Sequence, residues 1–336
     1  MAERDFTWRD AERTIVFRAG ALAEAPEILA GGIWERYELL TTERGLGAAP
    51  LELAARAEAL HQVELGEVPQ LAASLIDRIR NPTLVALGGG RVIDTAKAIA
   101  AVRGGRVCAI PTTLSGAEMT SGHRLPAGRE DQAPHRVRPA VVIADPFEMT
   151  TLDDRRLRAS AMNALAHGAE ALYVPAANPV ASLAALRGAE LIAAALDQRP
   201  AERDRPGLAL GALLSAYALG ETGFALHHVV CQTLVRMLGT PHAETNATML
   251  PRTMEMMRPR APEEIAALAH AVSAEPDEIR RRIELLGGGP RRLSDLGAKP
   301  DRLESARDAI LQRSEYENTP QPPGPEELRR MLEDAW

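Results

Sequence analysis

Asn163 and His167 stand four residues apart in the run 161–173, whose Ala-rich composition reads as helix, so both side chains leave one face about a turn apart. His228 and His242 follow in the stretch 227–244. These residue types can converge on one cation, or line a polar pocket in which an imidazole exchanges a proton with substrate. Far upstream, Gly88, Gly89 and Gly90 follow an apolar run and precede a helical pattern that starts near Val92. Glycine lets backbone approach a ligand closely, and the first amides of a helix favour an anion, so this turn suits a pyrophosphate. Its spacing is not G-x-G-x-x-G. In the following loop Thr112, Thr113 and Ser115 can donate to phosphate, ribose or a nicotinamide amide. Glu43 lies just beyond a short apolar run at 37–41, where it can accept from a ribose hydroxyl and repel a 2′-phosphate, favouring NAD over NADP.

The elements that must position these residues alternate in the first part of the chain. Strands are expected at 37–41, 83–87, 107–110 and 140–144, and helices at 50–62 and 92–102. Short buried strands separated by helices imply a parallel sheet covered on both faces, a Rossmann-like α/β domain. After Asp145-Pro146 the segments 157–174, 179–196, 208–238 and 262–272 are Ala/Leu-rich with helical spacing, and a short helix is expected from Glu326. Gly211, Gly220 and Gly223 interrupt the third of these, which reads as two helices or one broken helix. The expected organisation is therefore a dinucleotide-binding α/β domain over 1–150 and an all-helical domain over 151–336 that holds the metal or substrate.

Bulk numbers narrow the function classes. A chain of 336 residues with 46% hydrophobic content can build two cores. The net charge is −7, aromatics are 3% of residues and no basic block appears, which argues against a nucleic-acid partner. Only two cysteines, Cys108 and Cys231, occur, far apart and in apolar surroundings, which fits a reducing cytoplasm. The first ten residues lack an apolar signal core, and no stretch approaches the roughly 20 apolar residues of a membrane span.

Together the motifs resemble the iron-containing (group III) alcohol dehydrogenase family. Its GGGS-x-x-D-x-AK turn is similar to Gly88-Gly-Gly-Arg-Val-Ile-Asp-Thr-Ala-Lys97, which brings Asp94 into the cofactor-binding set. Its PTT-x-x-x-G-S-E loop is similar to Pro111-Thr-Thr-Leu-Ser-Gly-Ala-Glu118. Within the family the chain looks most like the maleylacetate reductases, through Met162-Asn-Ala-Leu-Ala-His-Gly-Ala-Glu-Ala-Leu-Tyr173, Ala225-Leu-His-His228 and Pro241-His-Ala-Glu244. That branch carries Asn where alcohol-oxidising relatives carry a metal-binding Asp. The resemblance implies that Asn163, His167, His228 and His242 occupy the four ligand positions for Fe2+ or Zn2+, with His167, His228 and His242 also catalytic. Two departures stand out: Gln232 replaces a histidine four residues after the third ligand, and Arg91 replaces a small hydroxyl residue.

The activity implied is hydride transfer between NAD(P) and a carbonyl or hydroxyl carbon of a small, carboxylate-bearing substrate, in a cytoplasmic homodimer with no membrane or nucleic-acid partner. With a metal, the cation polarises the carbonyl; without one, His228 or His242 as imidazolium donates to the developing alkoxide. The loop 122–138 supplies His123, Arg124, Arg129, His135, Arg136 and Arg138 as carboxylate partners. Two further readings are a dehydrogenase of secondary metabolism that oxidises a β-hydroxy acid with decarboxylation, and a catalytically silent nucleotide-binding paralogue that serves as a partner subunit.

Overall fold

The computed structural model describes residues 6–10, 13–132 and 136–336, and the chain divides into two compact units, 1–151 and 152–336. In the first, strands β1 (Phe6–Asp10) and β2 (Arg13–Phe17) form an antiparallel hairpin, and α1 (Ala25–Ile28) follows. Then come β3 (Glu38–Thr41), α2 (Glu43–Ala48), α3 (Leu51–Ala55), β4 (Ala59–Gln62), α4 (Val68–Ile76), β5 (Thr83–Gly88), α5 (Gly90–Arg103), β6 (Arg106–Pro111) and β7 (Val141–Ala144). They build one seven-stranded sheet in the order β1-β2-β7-β6-β5-β3-β4, parallel throughout except for β1.

Consecutive apolar residues in the central strands have a direct cause, since each strand feeds two cores. Leu40, Leu84, Ala86, Val107 and Ala109 point to the face covered by α4 and α5. Their neighbours Leu39, Val85, Leu87, Cys108 and Ile110 point to the other, with Tyr37 and Leu53.

The second unit holds α6 (Asp154–Ala171), α7 (Pro179–Leu196), α8 (Arg205–Thr222), α9 (Leu226–Leu238), α10 (His242–Met257), α11 (Pro262–Ala271), α12 (Ile279–Leu286), α13 (Leu303–Leu311) and α14 (Pro325–Asp334). Among the described residues no strand follows Ala144. Helices α7 and α8 cross so closely that a Cβ on Gly211 would lie 2.8 Å from the Gly188 carbonyl. Helix α7 is apolar and long enough, by composition, to cross a membrane; half of it is buried in this helical layer. The segment 208–238 is two helices, bent by 99° at Gly223, whose φ of +83° suits only glycine.

One expected element is corrected. The stretch 50–62 is not one helix but α3 followed by β4, because Ala59–Gln62 pairs in parallel register with Glu38–Thr41. Sheet pairing overrides the helix-forming Ala, Glu and Leu of that window, and Glu38 anchors the edge by accepting from His61 and from the Arg80 and Asn81 amides. The N-terminal hairpin, with its mixed charge, shows no strand periodicity and was not anticipated.

Candidate active site

In the sheet unit the chain winds outward from β3 to β4, returns to β5, then proceeds through β6 to β7 on the other side, so the strand order reverses between β3 and β5. Open α/β sheets bind ligands outside the carboxyl ends of their strands at that reversal. Gly88 ends β5, Gly89 caps α5 and Gly90 begins it, and no side chain caps the helix. The first amides of a 14-residue helix are thus left for an anion. Thr112 donates its amide to the Gly88 carbonyl at 3.1 Å. A Cβ on Gly89 would stand 3.1 Å from Thr113, and one on Gly90 would stand 3.0 Å from Ser115, so the hydroxyl loop lies against the glycine turn. Glu43 opens α2 at the end of β3 and is exposed, within the same reversal. Arg91 adds a positive charge at the head of α5; among the described residues its buried Nε meets no acceptor.

Asp94 is held from its own helix. Lys97, fully buried, donates to Asp94 Oδ1 at 2.8 Å and to the carbonyls of Ala117 and Gly122 at 3.0 and 2.7 Å, tying α5 to the loop after β6. Next to Ala117, Glu118 is fully buried, and among the described residues neither of its carboxyl oxygens meets a donor. Burial pushes this carboxyl up from 4.5 to about 7, against the opposing pull of Lys97. A carboxyl raised in the folded state contributes stability that is complete below its unfolded value and lost as pH rises through the folded one, here between 4.5 and about 7. The wild type should therefore melt several degrees lower at pH 8 than at pH 5, and Glu118→Gln should remove much of that difference, an effect on the order of 2–3 kcal/mol. Parallel melting curves check it; an identical pH slope in the variant rejects it.

In the helical unit, α6 turns Asn163, His167 and Glu170 to one buried face, and α9 brings His227 and His228 against them. Asn163 Nδ2 lies 3.4 Å from His167 Nε2. The rings of His167 and His228 stack with centroids 4.9 Å apart and 20° between planes, and Phe224 packs on His228 at 5.8 Å. Glu170 organises the group. Its Oε1 accepts the amides of Ala225 and His227 at 3.2 and 2.7 Å, filling the N-terminus of α9, while Oε2 pairs with His228 Nδ1. Its position three residues after His167 on the same helix is the signal in the sequence that marks it. His227 is bound at both nitrogens, by Thr253 Oγ1 and Asn246 Oδ1, each at 2.9 Å. Asn246 in turn donates to the His242 carbonyl at 2.8 Å and lies 3.4 Å from its Nε2.

His242 begins α10 and is exposed, unlike the buried Asn163, His167 and His228. Burial, then neighbouring imidazoles, push His167 well below its ordinary value and His228 to about 3, while burial raises Glu170 to about 7. The pair Glu170–His228 thus resists becoming an ion pair, and the expectation of an imidazolium at His228 is corrected: that ring is neutral near pH 7. The cationic loop is also reassigned in part. Arg124 pairs with Glu67 at 2.6 Å and Arg129 with Asp77 at 2.8 Å, stapling the loop along α4, and His123 Nε2 accepts the Val137 amide at 3.3 Å. His135 lies outside the described residues.

An α/β unit with a glycine turn at a helix N-terminus, and a helical unit with a carboxylate-oriented imidazole, are compatible with a nucleotide-dependent oxidoreductase. The Iron-containing alcohol dehydrogenase model matches residues 13–146, and that of the Fe-containing alcohol dehydrogenase family, C-terminal, matches 158–336. The chain belongs to the iron-containing alcohol dehydrogenase family. It is 34% identical to a maleylacetate reductase of Burkholderia cepacia, over 96% of this chain and 95% of that one. Among solved structures, a putative alcohol dehydrogenase of Ralstonia eutropha superposes with a TM-score of 0.85 at 31% identity, covering 100% and 98% of the two chains. The maleylacetate reductase of Agrobacterium tumefaciens gives 0.82 at 29%, covering 99% and 98%. The activity is that of an NAD(P)-dependent oxidoreductase of the maleylacetate reductase type, and the family as a whole implies a metal as well.

Proposed function

We propose that the chain reduces the carbonyl of a small carboxylate-bearing keto acid such as maleylacetate, with residues 1–150 holding the nucleotide and 151–336 the substrate. The observation that carries this reading is the buried Glu170–His228 pair. Glu170 occupies His228 Nδ1, so Nε2, which meets no partner among the described residues, is the atom that exchanges a proton with the substrate oxygen. NAD(P)H, when bound, supplies the hydride. In reduction His228 gives up its Nε2 proton and takes one at Nδ1 from the Glu170 carboxyl, so the imidazole stays neutral and the negative charge is left on Glu170, facing the Ala225 and His227 amides until a solvent proton restores the acid. His167 fixes the plane of the His228 ring by stacking, and exposed His242 offers a polar contact to substrate. The α5 amides hold the pyrophosphate, Thr112, Thr113 and Ser115 the nucleotide's polar groups, and Glu43 selects NAD over NADP. The two buried, free cysteines fit a reducing cytoplasm, where the protein would act as a homodimer.

The residues fit a metal poorly. Asn163 contributes no charge to offset a divalent cation, and His242 is exposed whereas Asn163, His167 and His228 are buried. Among the described residues no three His, Cys, Asp or Glu side chains are grouped to hold an ion. Following 340 nm absorbance with NADH or NADPH against a panel of keto acids tests the reading. Turnover of a keto dicarboxylate, faster with NADH and insensitive to chelator, is expected; no turnover of any keto acid overturns it. Asn163→Asp should raise iron or zinc retained after dialysis toward about one ion per chain, by restoring an anionic ligand. Equal metal content in both proteins would contradict that account of Asn163.

A further inference from the structure

Arg124 and Arg129 pair with Glu67 and Asp77, and the helical unit has cations of its own for a carboxylate of a substrate on His228. One lies along the same face of α9. Gln232 follows His228 by one helical turn, and its Oε1 accepts from Arg313 Nη2 at 3.0 Å. Farther along the same C-terminal segment, Asn318 donates to the Phe224 carbonyl at 3.0 Å, and Phe224 is the ring packed on His228. The stretch Arg313–Asn318 therefore contacts α9 one turn after His228 and, through Asn318, the residue whose ring packs on His228. Glu315 takes Arg313 Nε and Nη2, each at 3.1 Å. Nη1 is left buried, and among the described residues it meets no acceptor. A buried guanidinium nitrogen with both hydrogens unused is costly, and an incoming anion would satisfy it.

We propose that Arg313, aimed by Gln232, receives a carboxylate of the substrate at Nη1 and thereby sets the preference for dicarboxylates. The assignment rests on the keto-acid reading above. With its amide oxygen on Arg313, Gln232 has an NH2 group to offer the same carboxylate.

The test uses the full chain with maleylacetate as substrate and succinate as a non-reducible dicarboxylate. Arg313→Ala should raise KM for maleylacetate and the calorimetric Kd of succinate by about 10- to 100-fold, with the Kd of NADH unchanged. Gln232→Glu should do the same without loosening the segment, because its carboxylate would capture the guanidinium internally; an unshifted melting temperature shows that the fold is kept. If the wild type reduces no keto acid yet binds succinate, and both variants lose that binding, Arg313 stands as an anion site and the keto-acid reading falls. A succinate Kd unchanged in both variants, or no succinate binding by the wild type, overturns the role of Arg313.

Discussion

Replacing Glu170 with glutamine is expected to lower kcat for carbonyl reduction by about 10²–10⁴-fold while leaving KM and the Kd of NADH within a few-fold of wild type. The variant keeps the shape and one oxygen for the Ala225 and His227 amides, so α9 retains its cap. It presents an amide to His228 Nδ1 that can accept no proton from the ring and pass none to it. Because burial holds the wild-type carboxyl at about 7, wild-type kcat should decline as pH rises through that value, when the relay loses its proton, and the glutamine variant should show no such decline. Glu170 acts through His228 and is a positioning residue. Glu170→Asp, which keeps the carboxylate one methylene shorter, should recover part of the rate. A glutamine variant with wild-type kcat and pH profile would remove Glu170 from the mechanism.

Gly89→Val should abolish saturable NADH binding, raising Kd by roughly 100-fold or more, about 2.7 kcal/mol. Two contacts produce the effect. A side chain at the cap of α5 stands where a pyrophosphate must approach the helix amides, and it also meets the protein itself, since even a Cβ there lies 3.1 Å from Thr113 Cγ2 and Oγ1. Gly89→Ala separates them: its single methyl asks Thr113 to move by a few tenths of an ångström, so it should weaken binding less and melt close to wild type. Fluorescence titration with NADH, beside melting curves of the free proteins, reads both. Undiminished NADH affinity in the valine variant would mean that the turn does not hold the phosphates.

Period and local chemistry made much of this molecule legible in its sequence. The uninterrupted apolar runs of β5 and β6 can be buried only in a sheet covered on both sides, and the glycines after β5 mark a close backbone approach wherever the sheet is placed. Asn163 and His167 share a face because four residues nearly complete a helical turn, which holds in any fold that keeps α6 helical. Such properties depend on neighbours within a few residues and need no partner from afar.

Other features depend on residues far apart in the chain. Ala59–Gln62 is a strand because β3 offers it an edge, although its own propensity favours helix. Glu170 reaches His228 across 58 positions, and burial of both groups, not their identity, turns an expected imidazolium into a neutral ring. Arg124 and Arg129 look like anion receptors in the sequence but are taken by carboxylates flanking α4, whereas Arg313, unremarked in a charged C-terminal stretch, is brought to Gln232 over 81 positions with a nitrogen to spare. The sequence by itself determined which side chains could do chemistry and the local elements that bear them. Which of them meet, and which are charged when they do, was decided by the tertiary structure, because long-range pairing and desolvation arise only when distant segments pack together.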